Sequence, residues 1–151
     1  MSALKETLRR DLTAAIRSRD AVVAATLRMA LTAVTTEEVA GKVHRELSDE
    51  EVSRVLTKEA KKRREAATAY TAAGRPELAA TEEAELAVLA GYLPQQLTEA
   101  EIATLVAEAV ASTGASGMPQ LGHVMKALQP RVAGRADGAA VAAAVRAALS
   151  R

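Results

Sequence analysis

Few side chains in this sequence have types and spacing that could do chemistry. His44 and His123 stand far apart, and the chain has no Cys. No thiolate site, cysteine nucleophile or His/Cys metal set at ligand spacing can therefore be assembled. His44 falls in a stretch that reads as an exposed loop. His123 directly precedes Val124 on a short helix and reads as a surface or half-buried structural residue. The pairs Glu50-Glu51 and Glu82-Glu83 have the chemistry of a general acid and base. They fall on a helix start and a charged helix face, where capping and solvation account for them. G-x-S-x-G, H-E-x-x-H and P-loop sequences are absent. The expectation is no catalytic residue, no metal and no cofactor.

Two groups of cations remain. The run Lys58-Glu59-Ala60-Lys61-Lys62-Arg63-Arg64 is the most conspicuous charge feature. On a helix, Arg54, Lys58, Lys61 and Lys62 neighbour one another at three- and four-residue spacings. Such a stripe can contact phosphates; the plainer interpretation is a solvated face balanced by acids. The second group is Lys126, Arg131 and Arg135, around a turn at Gly134 whose backbone N–H groups could approach an anion. The candidate binding residues are Lys58, Lys61, Lys62, Arg64, Lys126, Arg131, Gly134 and Arg135.

Helices must position these groups. Leu4, Leu8, Leu12 and Ile16 recur every four residues and line a first helix. Asp20 caps a second, with Val23, Leu27, Ala30, Leu31 and Val34 inward. A loop covers residues 41–47, and Ser48-Asp49-Glu50-Glu51 is a capping box opening a long helix to Ala73. Its apolar stripe is Val52, Val55, Leu56, Ala60, Ala67 and Tyr70. Pro76 starts a fourth helix, with Leu78, Leu86 and Leu89 inward and Glu82, Glu83 and Glu85 largely outward. Pro94 marks a boundary between domains 1–93 and 94–151. Before it lie 15 basic and 15 acidic residues; after it lie 5 and 4, so the density of charge halves. Thr98 to Glu101 form a second capping box ahead of Ile102, Leu105, Val106, Ala109 and Val110. A short helix carries Leu121, Val124, Met125 and Leu128, and Pro130 kinks or ends it. Asp137 caps a last, Ala-rich helix to Leu149. The expected fold is all-α in two unlike parts, an N-terminal bundle of about four helices and a small C-terminal module of three.

Composition agrees. Of 151 residues, 36 are Ala, two are Ile and two are Tyr, with no Trp, Phe or Asn. Residues that favour strands are scarce, and aromatic platforms for stacking single-stranded bases are nearly excluded. The net charge is +1 and the isoelectric point near 8.1. The longest apolar run, Ala139 to Val145, is far short of the ~20 residues that span a bilayer. Charges at Lys5, Glu6, Arg9, Arg10 and Asp11 do not suit a secretory signal. A cytoplasmic protein without a membrane partner is expected.

Three blocks together resemble the YqeY family of GatB/YqeY-like proteins. They are LSDEEVSRVLTKEAKKRREAATAY at 47–70, AGRPELAATEEAELAVLAGYLPQQLTEAEI at 73–102 and GHVMKALQPRVAGRADGAAV at 122–141. The resemblance implies the all-helical, two-part fold, with a C-terminal module of GatB/YqeY type. From about Pro94 the chain is similar to the tail domain of the B subunit of the aspartyl/glutamyl-tRNA amidotransferase, a domain that contacts tRNA. Val124, Met125, Lys126, Ala127 and Gly134 match that tail. Arg135-Ala136-Asp137-Gly138 belong to the free-standing family. The resemblance implies a non-catalytic partner of tRNA, or of a tRNA-modifying or aminoacylating protein, acting by shape and phosphate contact. Two alternatives stand beside it: a protein-interaction adaptor without nucleic acid, and the family-inherited activity of a carbon–nitrogen ligase with glutamine as amide donor.

Overall fold

Side chains able to receive the orphan N–H groups of a first turn mark most of the helix starts. A computed structural model describes residues 2–150, and every regular element among them is helical. Helix α1 (Ala3–Ser18) is capped by Ser2, whose hydroxyl accepts from Lys5 N–H at 3.0 Å. Asp20 caps α2 (Ala21–Glu38) by accepting from Val23 N–H at 3.2 Å. Helix α3 (Asp49–Ala72) opens on the reciprocal Ser48–Glu51 capping box. Helix α4 (Pro76–Ala90) has no side-chain cap; Pro76 sits in its first turn, where a missing N–H costs nothing. The Thr98–Glu101 box opens α5 (Glu99–Thr113). A 3-10 turn, Met118–Gln120, leads into α6 (Leu121–Val132), and α7 (Gly138–Leu149) follows. No helix among the described residues is long and apolar enough to cross a membrane.

The chain divides into two compact units, Met1–Leu93 and Pro94–Arg151. Leu8, Leu27, Ala30, Val34, Leu47, Val52, Leu56, Ala60 and Leu89 form the core of the first. The second is closed by Ile102, Val106 and Ala109 of α5, Val124, Leu128 and Val132 of α6, and Val141, Val145 and Leu149 of α7.

Four details differ from the sequence pattern. Ile16 is exposed, and Ala15 takes the inward position. A strict four-residue spacing drifts about 40° per step around a helix, so by Ile16 the stripe has turned away from the core. Leu78 is likewise exposed while Ala79 is buried. Glu85 is turned inward rather than outward, toward the buried Arg63. Pro130 does not stop α6, which runs on to Val132. Lying in the last turn, it deletes one backbone hydrogen bond near an end that frays in any case.

An ion pair sits inside the first unit. Lys5 Nζ donates to both carboxylate oxygens of Glu38, at 2.8 and 2.7 Å, with side chains only 7% and 3% exposed. Glu38 Oε1 also accepts from Leu47 N–H at 3.4 Å. The pair therefore ties the start of α1 to the end of α2 and to the following loop. The Lys5 hydrogen bonds hold the Glu38 carboxyl below the usual carboxylate range, against the opposing effect of desolvation. Since its folded value lies below its unfolded one, the stabilisation is present above the unfolded value and is lost as pH falls through the folded one. Replacing Lys5 with Met strands a buried carboxylate and should destabilise the first unit by about 3 kcal/mol in chemical denaturation near neutral pH. In Glu38→Gln the acid limb of the stability–pH curve should be shallower than in the parent.

Candidate functional site

The basic run on α3 is split by the helix period. Arg63 lies one position along the apolar stripe from Ala60 and Ala67, and its side chain is only 4% exposed. Its Nη1 donates to Glu59 Oε2 at 2.7 Å and to the Glu59 carbonyl at 3.0 Å, and Nη2 donates to Met29 Sδ at 3.7 Å. Its Nε is 3.2 Å from Glu85 Oε2, an ion-pair contact without hydrogen-bond alignment. Glu85 is drawn inward by this charge. Arg63 is thus a structural cation joining α3 to α2 and α4.

The remaining cations of the run are exposed. Lys58 and Lys62 line a groove of about 800 Å³ between α2 and α3, whereas Lys61 and Arg64 are not part of its wall. Arg28 of α2, Arg45 of the preceding loop and Arg54 of α3 join Lys58 and Lys62 there. Arg45 is fixed by a two-pronged pair with Glu51: Nη1 to Oε2 at 3.1 Å and Nη2 to Oε1 at 2.7 Å. Glu51 Oε2 also accepts from Ser48 N–H at 2.9 Å. Hydrogen bonds from Arg45, and then from the Ser48 backbone, pull the Glu51 carboxyl down to about 2, and Arg45 is raised in turn. One carboxylate therefore caps α3 and anchors the loop that ends the groove. Arg54 pairs with Glu50 at 2.5 Å on an exposed turn of α3, and Lys62 pairs with the half-buried Glu59 at 3.4 Å.

In the second unit the basic residues do not converge on one point. Arg131 Nη2 is 2.7 Å from Glu108 Oε2 of α5. Lys126 lies five residues earlier on α6, about 140° around the helix, and is exposed. Arg135 is half-buried, and its Nε donates to the Gln95 carbonyl at 3.3 Å. The Arg135 carbonyl accepts from Leu97 N–H at 2.8 Å, and Gln96 Nε2 donates to the Gly134 carbonyl at 3.0 Å. The Gly134-Arg135 turn is therefore clasped by residues 95–97, and part of Arg135 serves that clasp. Gly134 has φ 72°, a left-handed conformation that suits glycine. Asp137 occupies the N-cap position of α7 without a capping hydrogen bond from its side chain.

His44 and His123 are both exposed. No cluster of three His, Cys, Asp or Glu side chains suited to a metal occurs among the described residues. Sequence spacing did not single out Arg28, Arg45, Met29 or the Lys5–Glu38 pair. Lys5, Glu38 and Arg63 each carried a legible signal, a charge set on an otherwise apolar helical stripe. Arg28 carried none, because only the packing of α2 against α3 puts it in one groove with Lys58; Arg45 reaches the groove through its pair with Glu51.

The architecture is that of an all-helical protein of two helical units with cationic groups on each. The family model for Yqey-like proteins matches residues 5–149, nearly the whole chain, and the protein belongs to that family. No curated protein matches it.

A Cβ added at Gly134 meets no atom within 4 Å, so Gly134→Ala tests backbone strain alone. The expected loss is about 1 kcal/mol, read as a lower thermal midpoint with an unchanged circular dichroism spectrum.

Proposed function

We propose that this protein is a non-catalytic companion of tRNA or of a tRNA-modifying or aminoacylating protein, working in the cytoplasm. The observation that carries this reading is the segment GHVMKALQPRVAGRADGAAV at 122–141, similar to the tRNA-contacting tail of the amidotransferase B subunit. Membership of the Yqey-like family is consistent with it. Lys126 and Arg131 present their cations at the surface, and Gly134 opens the turn beside Arg135. Lys61 and Arg64 on α3 supply further phosphate contacts, with Lys58 and Lys62 shared between this role and the groove.

The mode of contact follows from what the chain lacks. Its two aromatic residues, Tyr70 and Tyr92, both precede Pro94. Tyr92 is half-buried, and its hydroxyl donates to Asp11 Oδ2 at 2.7 Å. No aromatic ring in the second unit can stack on a base, so recognition is by helix shape and phosphate charge. With a net charge of +1 the affinity is modest and strongly dependent on salt.

Titration of the full chain with deacylated tRNA over a range of salt tests this. Saturable binding at low salt, tighter than to a duplex RNA of equal charge, is expected. Lys126→Ala should lower the slope of log affinity against log salt by about 1. Absence of binding at low salt, or equal binding to any polyanion, overturns it.

A further inference from the structure

The groove between α2 and α3 has a floor that a phosphate-binding surface does not need. On α2 it is lined by positions 28 to 37 and on α3 by positions 51 to 62, each at three- and four-residue spacing. Each stripe extends for about three turns, or ~15 Å. Between them the floor is apolar, made by Met29, Ala33, Leu47 and Val55. Met29 is 49% exposed, although its sulfur is held from one side by Arg63. Unbranched and polarisable, a methionine in this position can adapt to an apolar visitor.

The rim is cationic. Of the three acids on it, Glu51 is engaged by Arg45 and Glu59 by Lys62 and Arg63, leaving Glu37. Arg28 on the α2 side and Lys58 on the α3 side line the groove without an acidic partner among the described residues. An occupant that satisfies both features needs an apolar stripe about three turns long with acids on its flanks. A phosphate backbone would meet Arg28 and Lys58 but would leave Met29 and Val55 uncovered by anything apolar. A helix laid lengthwise between two helices meets both requirements at once.

We propose that this groove is the docking site for an acidic amphipathic helix of a partner protein. Apolar side chains at i, i+3/i+4 and i+7 of that helix cover Met29 and Val55, while its Asp and Glu residues pair with Arg28, Lys58 and, by exchange with Glu50, Arg54. The proposal is carried by the apolar floor and by Arg28, neither of which the tRNA reading uses; that reading rests mainly on the second unit and shares only Lys58 and Lys62 with the groove.

The test uses the full chain and a fluorescent synthetic peptide of about 14 residues, with Leu at helical spacing and Glu between. Two relatives of the peptide serve as controls: one with Lys in place of Glu, one with Ser in place of Leu. The acidic amphipathic peptide should bind at least about tenfold more tightly than either control. Arg28→Glu and Lys58→Glu, each checked for an unchanged melting curve, should weaken it by about tenfold or more, whereas Lys126→Glu should not. Equal binding of the Ser peptide shows charge attraction alone and overturns the proposal, as does no binding at all. If Arg28→Glu weakens tRNA binding as much as peptide binding, the groove is a nucleic-acid surface, which likewise overturns the proposal. So does sedimentation showing a dimer that Arg28→Glu dissociates, since the occupant is then a second copy of this chain.

Discussion

Arg63 carries a permanent charge into the interior of the first unit, and a charge there has to be met from several directions at once. Glu59 meets it from the same helix, Glu85 from α4, and the Met29 sulfur from α2. A guanidinium can do this because its donors fan out in one plane. The helices that supply the partners are thereby held in a particular register. Met29 is held where it forms the groove floor, and Glu59 is held beside Lys62. The groove and its charge pattern are in this sense a consequence of how one buried cation is neutralised.

A second constraint is the shortage of large apolar side chains. With 36 Ala and no Phe or Trp, the cores are made of Leu, Val and Ala with one Ile, Ile102. Burial of small side chains contributes little per residue, so polar ties take a larger share of the specificity. Lys5–Glu38 joins α1 to α2, and Tyr92 reaches Asp11 on α1. In the second unit Gln96 and Arg135 clasp the turn before α7 to the segment before α5. Such contacts add directional preference where apolar packing alone is permissive.

The same economy bears on function. Arg131 is drawn to Glu108 and Arg135 to Gln95, so these residues are partly structural. Lys126 is the cation of that segment left at the surface without such a tie among the described residues. On α3 the helix period sends Arg63 inward, Lys58 and Lys62 to the groove, and Lys61 and Arg64 elsewhere. A run that reads as one block of charge is therefore three different things in space.

Much of the helical scaffold was legible from residue order. Capping boxes, a proline in a first turn and apolar spacing act within a few residues of themselves, and so Ser48–Glu51, Thr98–Glu101 and Pro76 marked their helices reliably. The family, too, was written in contiguous blocks. What residue order left open was whatever depends on rotation around a helix axis or on a neighbour distant in sequence. Ile16 drifted out of its stripe, and Glu85 turned inward toward a charge 22 residues away. Arg28 shares a groove with Lys58 only because α2 packs beside α3. Local hydrogen bonding and periodicity determined the helices; long-range packing and the need to neutralise buried charge decided which side chains face a partner.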